Sequence, residues 1–151
     1  YVTVFSSSGY INDLANGSLC MAFGYSGDFN IARFRAEQGK TGQRIETLIP
    51  RNGGVLFMDV MVIPADAAHP NNAHRWINYI LRPDVHASLT NKVFFANPNV
   101  AARALVRPEV ISDPTVYPPE AVMRKMARPV VVNNDIRRRM TRIFTTFKTG
   151  M

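Results

Sequence analysis

From Leu56 to Ile63 the chain reads Leu-Phe-Met-Asp-Val-Met-Val-Ile, an apolar run broken once, at Asp59. A run of this length and density matches a strand covered on both faces, as in a parallel sheet. Aspartate is a poor strand former, and burying its charge without a partner is costly. A cation, a hydrogen-bond network or a cleft opening is therefore expected beside Asp59. The residues alone leave two readings open: a contact to a ligand, and an internal ion pair with one of the arginines.

Strand-like and helix-like patterns alternate around this run. Residues 8–17 carry Tyr10, Ile11, Leu14 and Ala15 at helical spacing, with serine available as N-cap and Gly17 as a left-handed stop. Residues 19–25 read as a buried strand. Ser26-Gly27-Asp28 then opens a helix with Phe29, Ile31, Ala32 and Phe34 on its apolar face, ending near Gly39. Residues 45–49 read as a further strand, 50–54 as a turn and 55–63 as a long strand. Helices are predicted over 71–81, from Pro83 to about residue 91, over 100–106 and over 120–126. A last helix presents Ile136, Met140, Ile143, Phe144 and Phe147 on one side, leaving Arg137, Arg138, Arg139 and Lys148 mostly to solvent. This order predicts an α/β protein with a largely parallel sheet, whose ligand crevices lie at strand ends and helix N-termini. Residues 1–5 read as a strand with nothing earlier to pair with, and a missing beginning explains that most simply.

Composition narrows the function. The apolar content, 46% of 151 residues, supports a packed core. The single cysteine, Cys20, sits in Leu19-Cys20-Met21-Ala22-Phe23 and reads as a small buried hydrophobe, with no internal disulfide possible. Residues 1–5 show neither a leader peptide nor a membrane anchor. A net charge of +7 raises the question of nucleic acid. Against it, Arg137, Arg138, Arg139, Arg142 and Lys148 cluster at one end, without aromatic–basic interleaving or zinc-knuckle spacing. No motif of nucleotide-binding, hydrolytic or metalloprotease sites occurs, and His69, His74 and His86 lack metal-ligand spacing. The sequence points to no enzyme activity, no metal and no cofactor.

Two aromatic–carboxylate pairs stand out. Tyr25 precedes Asp28 by three residues at a strand-to-helix turn, and Phe57 precedes Asp59 by two, on the same face of a strand. An acidic residue in a first helical turn is also explained by the helix dipole alone. Aromatic faces attract cations and cover methylenes, while carboxylates accept ammonium hydrogen bonds, so the combination suits an alkyl diamine.

The segments Tyr10-Ile11-Asn12-Asp13-Leu14-Ala15-Asn16-Gly17, Gly24-Tyr25-Ser26-Gly27-Asp28, Phe57-Met58-Asp59-Val60, Ile63-Pro64-Ala65-Asp66-Ala67, Asn78-Tyr79-Ile80-Leu81-Arg82-Pro83 and Tyr117-Pro118-Pro119 occur in a specific order. In that order the chain resembles the periplasmic putrescine- and spermidine-binding proteins of ABC transporters over nearly its whole length. The resemblance implies a type II periplasmic-binding-protein-like fold, incomplete, with only the later parts of both lobes. Residues 1–54 would belong to the second lobe, 55–102 to a return segment of the first, and 103–151 to a crossover and C-terminal helices of the second. It implies ammonium-holding roles for Asp28 and Asp59 and a ligand wall at Phe57. Tyr25 stands where the family usually has a stacking tryptophan, and Phe95 where it commonly has a tyrosine. The implied partners are a polyamine, putrescine first, and a membrane permease, in the periplasm and without nucleic acid. With half of each lobe absent, uncovered core faces lead us to expect a non-monomeric, segment-swapped assembly. The runner-up reading is a self-associating remnant without a complete ligand site, and a basic nucleic-acid-binding module is a distant third.

Overall fold

The computed structural model describes residues 4–150, so part of the strand expected at 1–5 lies outside the described residues. Two small cores organise the rest. The first joins helix α1 (Tyr10–Asn16) to helix α2 (Ser26–Gly39). Ser6 Oγ accepts the Gly9 N–H at 2.8 Å as the chain enters α1, and Gly17 closes that helix at φ 84°. Tyr25 is extended (φ −84°, ψ 140°) and turns directly into α2, whose buried positions Ala32 and Ala36 are one turn apart. Small side chains there let α1 approach closely, and Tyr10, Leu14 and Ala32 form the centre of this core, flanked by Ile11, Leu19, Ala22, Phe29 and Ile45. The apolar face read for α2 is thus only partly the buried one, since Phe34 is exposed.

Helices α3 (Pro70–Ile80) and α4 (Pro83–Val93) each begin on a proline, where the missing N–H costs nothing. A 3-10 helix (Val100–Leu105) packs on α4, and its Asn99 cap accepts the Ala101 N–H at 3.1 Å. With α5 (Pro108–Ile111), a short helix that the pattern of residues did not announce, these elements bury Ala87, Ala102, Val106, Val110 and Val116 in the second core. A polar network links the two cores. Arg33 on α2 donates to Asp113, Asp113 accepts from the Thr115 hydroxyl, and Asn30 Nδ2 donates to Thr115 Oγ1 at 2.9 Å. The chain ends with α6 (Glu120–Met123) and α7 (Asn134–Thr149). Helix α7 is capped by the Asn133 side chain and by Gly150, and its apolar residues Ile136, Met140, Ile143, Phe144 and Phe147 are all exposed. Phe5 lies edge-on to Phe144 and Phe147.

The parallel sheet read from the sequence does not form among the described residues. Segments 19–25 and 45–49 carry no ladder, and segment 55–63 makes one parallel bridge, between Val55 and Ala127. In that bridge Ala127 N–H donates to Gly54 and Leu56 N–H donates to Ala127, both at 2.8 Å. The next rung would need an N–H from residue 129 to the Leu56 carbonyl, and residue 129 is proline. The ladder therefore stops after one pair. Residues 45–49 still alternate, with Ile45, Thr47 and Ile49 half-buried and Glu46 and Leu48 exposed, the signature of a strand lacking its neighbour. Nor is the 55–63 run covered: Phe57, Met58, Val60, Met61 and Val62 are all exposed, and so is Cys20. The molecule exposes 12068 Å², where a compact monomer of this mass would expose about 7,700 Å².

Candidate functional site

The turn 24–28 enters α2 with two glycines, and each admits a ring. A Cβ on Gly24 would lie 2.5 Å from the Tyr10 hydroxyl, and one on Gly27 would meet three atoms of the Phe95 ring within 2.6 Å. Only hydrogen at these two positions lets Tyr10 from α1 and Phe95, just beyond α4, close on the turn. Between them Tyr25 projects from the extended N-cap position, half exposed, with its ring 5.7 Å from that of Phe57 and inclined at 74°. Edge-to-face contact of this kind is the favoured geometry for two rings.

Asp28 stands in the first turn of α2, where the helix dipole favours its charge. It is half-buried, and its Oδ2 accepts a hydrogen bond from the Tyr10 hydroxyl. The same hydroxyl accepts the Tyr25 N–H at 3.4 Å. Tyr10 itself is buried, and burial first, then its bond to the Asp28 carboxylate, push the phenol up to about 12. Tyr10 is therefore a protonated donor throughout the physiological range. Among the described residues no hydrogen bond reaches Asp28 Oδ1.

Four of the five residues singled out in the sequence thus gather at one turn: Tyr25 and Asp28 on it, Phe57 against Tyr25, and Phe95 against Gly27. Asp59 follows Phe57 by two residues, is exposed, and has no hydrogen bond or ion pair among the described residues. The internal ion pair with an arginine, one of its two open readings, does not form there. Sequence reasoning missed the part played by Tyr10, which it placed on an apolar helix face. The structure shows the bare backbone of Gly24 making room for its phenol, a relation that helical spacing does not reveal. Arg33 and Asp113 were missed too, because residues 80 apart carry no spacing signal.

The arrangement offers one carboxylate with an oxygen to spare, on a turn that carries Tyr25, with Phe57 against it, and receives the Phe95 ring at Gly27, and a second carboxylate exposed to solvent. Such a set can hold a cation with an apolar body.

Comparison with known proteins gives the lineage. The family described as bacterial extracellular solute-binding protein matches residues 1–118. The putrescine-binding periplasmic protein PotF of Escherichia coli is 44% identical over 149 residues, which are 99% of this chain and 40% of that protein. The putrescine-binding periplasmic protein SpuD of Pseudomonas aeruginosa is 41% identical over 150 residues, 99% of this chain and 41% of that protein. The spermidine/putrescine-binding periplasmic protein of Escherichia coli is 34% identical over 117 residues, 78% of this chain and 32% of that protein. The chain spans about two fifths of the length of the first two of these relatives. It belongs to the bacterial extracellular solute-binding proteins.

Proposed function

We propose that this chain is part of the solute-binding component of a polyamine ABC transporter, holding putrescine or a related polyamine non-covalently in the periplasm for delivery to a membrane permease. The observation that carries this reading is the convergence of Tyr25, Phe57 and Phe95 around the Asp28 turn. Asp28 takes one ammonium group and the rings cover the methylenes. Asp59, free of any protein partner among the described residues, takes a second ammonium group. The printed functions of the relatives, putrescine and spermidine/putrescine binding, point the same way. No covalent step enters this reading.

The fold that goes with it is a two-lobed, type II periplasmic-binding-protein-like α/β fold. Residues 1–54 and 103–151 belong to one lobe and 55–102 to the other. The segments 19–25, 45–49 and 55–63 are then strands awaiting neighbours, in keeping with the alternating burial of residues 45–49. The test is a thermal-unfolding scan with and without excess putrescine, beside an Asp59→Asn variant. Stabilisation that the variant loses supports a working polyamine site. No stabilisation of the unaltered chain overturns the reading of this chain as a self-sufficient binding module.

A second reading has one specific observation in its favour. The surface exceeds that of a compact monomer by an area on the order of an obligate interface, about 4,000 Å². We infer that the chain self-associates, exchanging apolar segments between copies. A monodisperse monomer in light scattering overturns this.

A further inference from the structure

The reading of Asp28 as an ammonium acceptor leaves open what fixes its carboxylate. A side chain in a first helical turn rotates freely unless something holds it, and a mobile acceptor loses affinity through the entropy of its ordering. Three observations bear on this. Tyr10 is 7% exposed and seated between α1 and α2, so its ring has one position. Its hydroxyl donates to Asp28 Oδ2 and accepts from the Tyr25 N–H, so both roles of that oxygen are filled within the turn. The bare backbone of Gly24 admits the phenol at a distance where any side chain would collide with it.

We propose that Tyr10 is a positioning residue for the site: its phenol occupies Asp28 Oδ2, fixes the carboxylate rotamer, and leaves Oδ1 as the one oxygen available to a single ammonium group. This rests on the functional reading above. A core-filling role would require only the ring, which packs 5.8 Å from that of Phe29. The hydroxyl is what distinguishes the two, because a buried hydroxyl serves no packing purpose and is costly unless bonded. The contact also makes the acceptor sensitive to the packing of α1. A primary ammonium has three N–H donors, and a carboxylate with one oxygen engaged meets one of them well. The site therefore favours a terminal amine over a flat guanidinium, which pairs best with both oxygens at once.

Tyr10→Phe keeps the ring and removes the hydroxyl. Titration calorimetry with putrescine is expected to show about a tenfold loss of affinity, the effect of one hydrogen bond to a charged group. Affinity equal to that of the unaltered chain overturns the proposal. A second measurement needs no ligand. The Tyr10 phenol, followed by carbon NMR at Cζ and assigned by its disappearance in Tyr10→Phe, is expected to titrate lower in Asp28→Asn, because the charge that resists phenolate formation is gone. An unchanged titration shows that the pair is not formed in solution and overturns the proposal alone. Failure of the unaltered chain to bind putrescine overturns the functional reading, and the proposal with it.

Discussion

Arg33 donates to Asp113 across 2.9 Å and 80 residues of sequence, and this ion pair ties the core built on α1 and α2 to the core built on α4. Burial alone would raise the Asp113 carboxyl. The Thr115 hydroxyl and N–H, together with the Arg33 guanidinium, outweigh burial and hold the group below its ordinary value of 3.8. A carboxyl depressed in the folded state stabilises the protein above its unfolded value, and that contribution is lost as pH falls through the folded value.

Asp113→Asn therefore flattens the acid limb of the stability profile. The unaltered chain loses stability as pH drops below about 4, and the variant loses less over the same window. At neutral pH the variant is weaker by about 0.5–1 kcal/mol, small because Arg33 is 38% exposed and solvent screens the pair. Urea unfolding at several pH values measures both.

Gly27→Ala drives a methyl group into the Phe95 ring. The backbone of Gly27 needs no left-handed conformation, so the cost lies in displacing the ring, about 1–3 kcal/mol. Combined with Phe95→Ala, the same substitution is expected to cost far less. A double-mutant cycle in thermal unfolding reads the coupling, and additivity of the two substitutions would show that the ring does not rest on the turn.

Ala32→Leu overfills the contact between α1 and α2, since Ala32 is wholly buried. The expected loss is about 1–3 kcal/mol. Because the added bulk displaces Tyr10, putrescine affinity falls as well, whereas Val131→Leu, at a fully exposed position, changes neither.

Asn99→Ala removes two bonds together: the cap to the Ala101 N–H and the donation from Asn99 Nδ2 to the Leu81 carbonyl at 2.7 Å. A loss of about 1–2 kcal/mol in urea unfolding is expected. The effect falls on the second core and leaves the Tyr10 phenol titration unchanged.

The helices other than the four-residue α5 were legible because their boundaries carry their own chemistry. Gly17 stops α1, prolines open α3 and α4, and Tyr25 leads into α2 where the turn residues promised. Strand formation was not legible, because a strand is specified by what lies beside it. Residues 45–49 keep the alternation of a half-covered strand, and 55–63 keep the composition of a fully covered one, yet among the described residues the first has no ladder partner and the second only the single bridge from Val55 to Ala127. The rings and the carboxylate at the 24–28 turn could be named from residue types and from family resemblance. The phenol beneath them could not, since nothing in Tyr10's apolar helix spacing distinguishes a core ring from a hydrogen-bond donor. Asp59 shows the limit most plainly: its isolation in an apolar run argued for burial, and it is exposed because the run itself is uncovered.

Pro129 also governs how the uncovered run meets solvent. By withholding one N–H it stops the pairing of residues 55–63 after a single rung among the described residues, so in hydrogen–deuterium exchange the amides of Leu56 and Ala127 are expected to be slowed and those from Met58 to Val62 to exchange almost at the rate of a free peptide. The imino acid acts as a ratchet stop on zippering: the segment richest in sheet-forming residues is kept from annealing further onto residues 129–131, and among the described residues its edge stays vacant.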